Sequence, residues 1–247
     1  VGGGFTGCAA ALAASRNGMK VLLADSSGYL GGAASNNLIY PFMQYFTSVT
    51  DNDGTRSKFY LSRGIFLELV HELKENDSDK SDQHFLDEEL KLLLDKKMTD
   101  EGVDVLFHAT LCGVNKRENH IESVSFVTKS GVMEFSAKAF IDCTGDGDLS
   151  IFAGADYECG EPTGKGLSLQ PGTIRAYLGG SVSDYSVENI NASLKDSIDS
   201  GVLYPPDTKG AGIRQLLDSR YNNINHISGF NGADSHEKTL ADIEGRQ

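Results

Sequence analysis

Val1-Gly2-Gly3-Gly4-Phe5-Thr6-Gly7 opens the chain, and Cys8-Ala9-Ala10-Ala11-Leu12-Ala13-Ala14 follows without a break. Gly2, Gly4 and Gly7 fit the spacing G-x-G-x-x-G. Each glycine has its own reason. The first permits a tight turn out of a strand, the second lets backbone approach a pyrophosphate, and the third lets a helix pack closely on a sheet. A helix starting here turns unpaired N–H groups and its positive dipole end toward phosphate. The alanine- and leucine-rich run is a strong helix former, and Asn17-Gly18 stops it. Lys20-Val21-Leu22-Leu23-Ala24 then reads as a strand, nearly all apolar, as buried parallel strands are. Asp25 closes it 18 residues after Gly7. An acid there accepts hydrogen bonds from ribose hydroxyls, and an acid in place of a cation argues against a 2′-phosphate. A glycine pattern alone is weak; turn, helix, apolar strand and terminal acid in this order are what a nucleotide fingerprint requires.

Outward from the turn, residues 26–37 read as a loop holding Gly28, Gly31 and Gly32. Residues 38–47 are apolar and aromatic, and Asp51-Asn52-Asp53-Gly54 marks a turn. Phe66, Leu69, Val70 and Leu73 recur at helical spacing, so residues 64–75 form an amphipathic helix. Leu86, Leu90, Leu93 and Leu94 mark a second one, reaching about residue 100. From Val103 the period shortens to that of strands. Residues 103–108 read as a strand, and 111–114, 121–129 and 132–137 as an antiparallel meander with turns at Glu118-Asn119 and Ser130-Gly131. Residues 139–143 read as a further core strand running into Thr144-Gly145-Asp146-Gly147-Asp148. A glycine turn at the carboxyl end of a strand is where open α/β sheets bind ligand. A calcium loop is the other reading of this acidic turn, but the EF-hand spacing and its distal Glu are missing. Beyond residue 160 glycine and proline become frequent; 173–178 reads as a strand, 187–200 and 236–246 as helices, and 201–232 shows no clear pattern.

The 247 residues suffice for one large or two ordinary domains. A net charge of −13, from 35 acidic and 22 basic residues, opposes non-specific nucleic-acid binding and docking on an anionic membrane. No stretch approaches the ~20 apolar residues of a membrane-spanning helix. The four cysteines form no C-x-x-C pair, which leaves zinc-ribbon and redox-dithiol readings without support. Cys8 and Cys143 read as small buried hydrophobes. The six histidines form no H-E-x-x-H motif, and no metal site is expected. His71 falls on the polar side of its helix, His108 reads as a satisfied core residue, and His226, amid Asn222, Asn223 and Asn225, is a candidate for a substrate pocket. The nucleophile elbow G-x-S-x-G is absent from the sequence.

The two glycine motifs, in order and about 140 residues apart, carry a family likeness. Residues 2–14, Val21-Leu22-Leu23-Ala24-Asp25, Leu30-Gly31-Gly32-Ala33-Ala34 and Phe140-Ile141-Asp142-Cys143-Thr144-Gly145-Asp146-Gly147-Asp148 resemble the FAD-dependent oxidoreductases of the glutathione-reductase-like flavoprotein fold. The closest likeness is to a T-G-D-G-D subfamily distantly similar to fumarate reductase flavoproteins. Arg63-Gly64-Ile65-Phe66 and Gln170-Pro171-Gly172-Thr173 share it, and it covers residues 1–180 well and the rest thinly.

The resemblance implies an α/β architecture and bound FAD rather than NAD(P). A Rossmann-like three-layer FAD-binding domain would span residues 1–160, with a helical insertion at about 40–100 and an inserted antiparallel β-meander at about 110–137. Residues 161–247 would be part of an α+β substrate domain. Gly2, Gly4, Phe5, Thr6 and Gly7 would take the pyrophosphate. Asp25 would take the adenosine ribose with Ser26 beside it, and Gly32 and Ala33 would lie along the pyrophosphate and flavin side. Leu111 would offer its backbone to adenine, and Thr144, Gly145 and Asp146 would close the second nucleotide turn. The implied reaction is hydride transfer between a small-molecule substrate and flavin. No catalytic acid or base stands out; Arg175, Arg214 and His226 are the candidate polar contacts, a cation there suiting a carboxylate substrate. Two alternatives stay open: a flavoprotein like the tRNA uridine-modifying enzymes, and a non-catalytic nucleotide-binding module. No nucleic-acid partner is expected, the oligomeric state is open, and the expected location is the cytoplasm. With Val1 already in a strand-to-helix turn, the chain reads as a fragment lacking most of its first strand, any leader ahead of it, and a C-terminal FAD segment.

Overall fold

A computed structural model describes residues 1–39, 42–76, 85–163, 166–173, 186–201 and 226–246. The chain divides into two compact units, Val1–Asp156 and Tyr157–Gln247. The first mixes helices and strands, an α/β arrangement. Its elements are α1 (Phe5–Arg16), β1 (Leu22–Ala24), α2 (Ala33–Asn36), β2 (Phe46–Thr50), β3 (Arg56–Tyr60), α3 (Ile65–Asn76), α4 (Asp87–Asp100), β4 (Asp104–Leu106), β5 (Thr110–Arg117), β6 (His120–Thr128), β7 (Gly131–Ser136) and α5 (Asp148–Phe152).

The strands that carry the glycine turn run parallel. β1 pairs with β4, Leu22 opposite Asp104 and Ala24 opposite Leu106. On the other side of β1, the Gly2 N–H donates to the Ala24 carbonyl at 2.8 Å. The Val1 carbonyl accepts from the Cys143 N–H at 2.8 Å, and the Val1 amino group donates to the Ile141 carbonyl at 2.8 Å. The order across this layer is therefore 141–143, Val1–Gly2, β1, β4.

Helices α1, α3 and α4 cover one core. Cys8 and Leu12 of α1, Leu69 and Leu73 of α3, and Leu90, Leu94 and Met98 of α4 are buried together with Leu23, Leu30 and Val103. Burying each large aliphatic side chain contributes about 1.5–3 kcal/mol, so this cluster holds the helices on the strands. The small residues on the α1 face are what let it lie close. Acids in the first turn of α4 (Asp87, Glu88, Glu89) and Lys97 in its last suit the helix dipole. Arg16, at the end of α1, reaches Glu68 of α3 at 2.7 Å and Glu101 after α4 at 2.8 Å, while Lys97 joins Glu68 at 3.1 Å. The hydrogen bond from Arg16 holds the Glu68 carboxyl down to about 2, against some burial and with help from Lys97.

A second core lies under the antiparallel sheet β5-β6-β7. Val124 and Phe126 of the central strand pack with Ala24, Ala109 and Leu149, the last from α5. This cluster ties the carboxyl end of β1 to the segment that follows Cys143.

Several expectations change. The loop at 26–37 contains α2, whose buried Ser35 hydroxyl donates to the Leu30 carbonyl at 2.7 Å. The segment at 40–100, read as a helical insertion, begins with the antiparallel hairpin β2–β3. Its aromatic residues face neighbouring rings instead of a helix interface of their own: Tyr45 meets Phe66 of α3 at 5.3 Å between ring centres, and Phe42 meets Phe85 at 4.3 Å. The core strand expected at 139–143 is an extended segment beside Val1 that leaves Ile141 exposed, and Cys143 is only partly buried. His108 is an exposed residue at φ +52° and not a core one.

The second unit holds β8 (Glu161–Thr163), β9 (Gly166–Ser168), β10 (Gly172–Thr173), α6 (Val187–Asp199), β11 (His226–Ile227) and α7 (Ser235–Glu244). β8 pairs with β9 and β10 with β11, both antiparallel. The Ser186 hydroxyl caps α6 by accepting from Asn189 N–H at 3.1 Å. The Asp234 carboxylate caps α7 by accepting from His236 and Glu237 N–H, each at 2.9 Å. No described helix is long and apolar enough to cross a membrane.

Candidate functional site

The opening glycines differ in what the protein itself demands of them. Gly2 sits at φ +96°, and a Cβ there would lie 2.6 Å from the Cys143 carbonyl carbon and 2.8 Å from the Thr144 nitrogen. A Cβ on Gly7 would overlap the Gly2 carbonyl oxygen and lie 2.9 Å from its carbon. Gly3 is closed in by the Leu30 side chain at 2.7 Å. Gly2 and Gly7 are forced by backbone, and Gly3 is crowded by side chains. Gly4 is not: its φ is −68°, and the nearest atom a Cβ would meet is the Gly32 Cα at 3.9 Å. Nothing in the described protein requires glycine at position 4. What glycine leaves there is an open stretch of backbone at the start of α1. Gly4 is also the N-cap of α1, with no side-chain cap and no acid in the first turn. The leading N–H groups of a helix have no intrahelical acceptors, so an uncapped, acid-free start is the chemistry an anion needs.

Gly31 and Gly32 run beside this turn. Gly31 N–H donates to the Gly3 carbonyl at 2.9 Å, and Gly4 and Gly31 form a parallel bridge. A Cβ on Gly32 (φ +57°) would lie 2.8 Å from Gly4 Cα. The structure thus brings Gly2, Gly4, Phe5, Thr6, Gly7, Asp25, Gly32 and Ala33 to one edge, where α1 and α2 start and β1 ends. Thr6 and Ala33 are exposed. The Phe5 ring is turned to Phe42, 5.3 Å away, which leaves its backbone for any ligand.

Asp25 is held on both oxygens. Oδ1 accepts from Ser27 N–H at 2.7 Å and from the Ser27 hydroxyl. Oδ2 accepts from Gly3 N–H at 2.5 Å. The serine tied to this acid is therefore Ser27, while Ser26 is exposed. The backbone after β1 stays beside the end of β4 and the residues that follow it: Asp25 N–H donates to the Leu106 carbonyl, His108 N–H to the Ser27 carbonyl and Ala109 N–H to the Asp25 carbonyl. The His108 ring lies over Gly28, where a Cβ would come within 2.8 Å of it. Leu111 sits on β5 opposite Phe126, next to an irregularity in the ladder.

The second turn is built by side chains. Asp142 Oδ1 accepts from Thr144 N–H at 3.0 Å and from the Thr144 hydroxyl at 2.7 Å. Its Oδ2 accepts from Ser150 N–H at 2.8 Å and the Ser150 hydroxyl at 2.7 Å. The Thr144 oxygen in turn accepts from Asp148 N–H at 2.7 Å. Burial opposes the charge on Asp142, but the hydrogen bonds from Ser150 and Thr144 together outweigh it and lower its pKa. Asp148 moves the other way, pushed up by burial and then by the charges of Asp146 and Asp142. Gly145 and Asp146 are exposed.

Ser27 and Asp142 were missed in the sequence, although a signal exists. Both acids stand two residues before a hydroxyl residue, Asp25-Ser26-Ser27 and Asp142-Cys143-Thr144, the spacing at which Asp closes on the backbone ahead of it. Cys8 is fully buried, and burial, followed by the charge of Asp25, pushes its thiol up to about 12. A thiol so rarely ionised is packing and not a nucleophile. Among the described residues no cluster of His, Cys, Asp and Glu could hold a metal ion. Arg175 and Arg214 lie outside the described residues, as does the His226 side chain; the backbone of His226 pairs with Thr173.

Fold and site together define an α/β protein organised around a glycine-rich strand-to-helix turn with an uncapped helix start. The chain belongs to the FAD-dependent oxidoreductase family, whose model matches residues 1–244. FAD is accordingly its cofactor. Among solved structures it is similar to THI4 of Thermovibrio ammonificans, with 17% identity and a TM-score of 0.41, covering 63% of this chain and 61% of that one. It is also similar to the p-nitrophenol 4-monooxygenase PnpA from Pseudomonas putida DLL-E4, with 12% identity and a TM-score of 0.30, covering 54% of this chain and 36% of that one. A third similar structure is aklavinone-11 hydroxylase in complex with FAD and aklavinone, at 13% identity and a TM-score of 0.30, covering 55% of this chain and 30% of that one. The chain thus spans less than two thirds of each of these proteins. No curated protein matches the sequence.

Proposed function

We propose that this chain holds FAD along the edge formed by α1, β1 and α2, and that the whole protein transfers hydride between a small-molecule substrate and the flavin. The observation that carries the reading is Gly4, the one glycine of the opening turn that packing leaves unexplained. Backbone at Gly2, Gly4, Phe5, Thr6 and Gly7 receives the pyrophosphate at the uncapped start of α1. A carboxylate offers about four lone-pair sites. Gly3 N–H and Ser27 N–H fill two on Asp25, and the Ser27 hydroxyl shares its one proton between Asp25 and the Tyr29 carbonyl, which leaves at least one site for a ribose hydroxyl. Ser26, Gly32 and Ala33 border this site, Leu111 backbone faces adenine, and Thr144, Gly145 and Asp146 form the second turn. When bound, FAD supplies the ring that accepts or gives hydride; the protein supplies position and electrostatics.

In this reading the parallel layer and its helices are a Rossmann-like domain with β5–β7 as its inserted meander, over about residues 1–160. The rest contributes to a substrate domain. The net charge of −13 supports a small-molecule substrate over a nucleic acid. Four free cysteines, two of them exposed, fit a reducing compartment such as the cytoplasm.

The test is FAD uptake by the purified chain. Wild-type protein turns yellow and keeps a flavin absorption band after desalting, and Gly4→Val stays folded by circular dichroism but loses the band. A folded wild-type chain that takes up no added FAD sinks the reading.

A further inference from the structure

The Thr144–Asp148 turn is held from beneath by one carboxylate. Asp142 binds the amide and hydroxyl of Thr144 through one oxygen, and the amide and hydroxyl of Ser150 through the other. Thr144 passes the grip on, accepting from Asp148 N–H. The peptide between Cys143 and Thr144 is also pressed on the glycine turn, close enough to Gly2 to forbid a Cβ there. That peptide therefore has the glycine turn on one side and the Asp142 clasp on the other.

The clasp also fixes what Thr144 can do. A hydroxyl has one proton to donate, and Thr144 gives it to Asp142. It has none left for a phosphate or ribityl oxygen. We propose that Asp142 is the positioning residue of the second turn, setting Gly145 and Asp146 against the glycine turn, and that Thr144 is a relay in this clasp that donates no hydrogen bond to the cofactor. This rests on the FAD reading above. Ser150 belongs to the same device, because its hydroxyl donates to Asp142.

Asp142→Asn places an amide N–H₂ against the two Ser150 donors or the two Thr144 donors, so one side of the clasp opens. Ser150→Ala removes a single bond and serves where Asp142→Asn folds poorly. Two measurements on the full chain test the proposal. The first is FAD affinity with the shape of the visible flavin band. Asp142→Asn weakens binding about tenfold or more and alters the band, and Ser150→Ala does the same to a smaller degree. Unchanged affinity and band in both variants, with wild type binding FAD, overturn the proposal. The second is amide hydrogen exchange without FAD. Thr144, Asp148 and Ser150 amides exchange slowly in wild type and faster in Asp142→Asn; fast exchange in wild type overturns the clasp outright. If wild type takes up no FAD, the functional reading fails and the positioning role falls with it. Slow exchange that is lost in Asp142→Asn would then mark the clasp as a feature of the turn alone.

Discussion

Asp25 and Asp142 end two extended segments one place apart in the same layer, and each closes on the hydroxyl residue two positions on. The local geometry is the same, and the second oxygen makes the difference. On Asp25 it meets the Gly3 amide and keeps a lone pair free. On Asp142 it takes both donors of Ser150 and is filled. One acid is a clasp that the protein's own donors do not fill; the other is a closed structural clasp. A short local pattern makes the turn, and what the turn does depends on the chain that arrives on its far side. The two turns also differ in construction, the first from absent side chains and the second from a network of them.

The largest expected effect bears on the first turn. Gly7→Ala forces a methyl into the Gly2 carbonyl, and because both residues are backbone-bound the strain has no flexible side chain to absorb it. A loss of about 3 kcal/mol or more is expected, read by urea unfolding. A loss under about 1 kcal/mol would mean that the glycine turn is not close-packed, and would break the contrast between the two turns.

Next come the acids themselves. Asp142→Asn turns an amide toward two donors, whereas Asp25→Asn can turn its amide toward the single donor at Gly3. At neutral pH Asp142→Asn should therefore destabilise the chain by about 1 kcal/mol more than Asp25→Asn. Equal losses would erase the distinction between a filled and a part-open carboxylate. The pH dependence sharpens it. The Asp142 pKa is lowered by folding, so its contribution is present above the ordinary aspartate value of about 3.9 and is lost as pH falls through the lower folded value. The gap between wild type and Asp142→Asn should narrow below about pH 4. A gap that holds constant down to acid pH would show that the carboxylate charge is not what grips the turn.

Glu68 gives a smaller effect of the same sign, away from both turns. Held down to about 2 by Arg16, it stabilises fully above about pH 4.3 and loses its contribution toward pH 2. The group is partly exposed, so Glu68→Gln should change stability by less than about 1 kcal/mol at pH 7. A larger loss would place the main support of α1 in its ion pairs and not at its glycine start.

The smallest stability change is expected at Gly4. Its φ of −68° suits any residue and the space is open, so Gly4→Ala should move the unfolding free energy by only about 0.5 kcal/mol. A large loss there would return Gly4 to the class of Gly2 and Gly7.

Much of this was legible in the sequence where the signal is local. Helix α1, the two amphipathic helices, the meander and the acid at the end of β1 follow from short-range periodicity and from residues with one conformational use. What was illegible depends on partners far along the chain. The hairpin β2–β3 begins at the end of an aromatic run whose Tyr45 and Phe42 serve to meet Phe66 and Phe85, so the run itself gives no strand signal. His108 looks like the end of a core strand, yet a positive φ turns it out over Gly28. Ser26 and Ser27 are alike in sequence, and only the backbone path after β1 selects the second.

The sequence by itself determined that a glycine turn opens a helix, that an acid ends the next strand, and that a second glycine turn follows another apolar segment, because each depends on a few adjacent residues. The tertiary structure alone decided which glycines are forced by packing and which is left open, and which aspartate keeps a lone pair. Those outcomes are set by atoms brought within about 3 Å from positions that are not neighbours in the sequence, as distant as Gly2 and Cys143. Steric exclusion and hydrogen bonding act over such distances in space, and spacing along the chain does not record them.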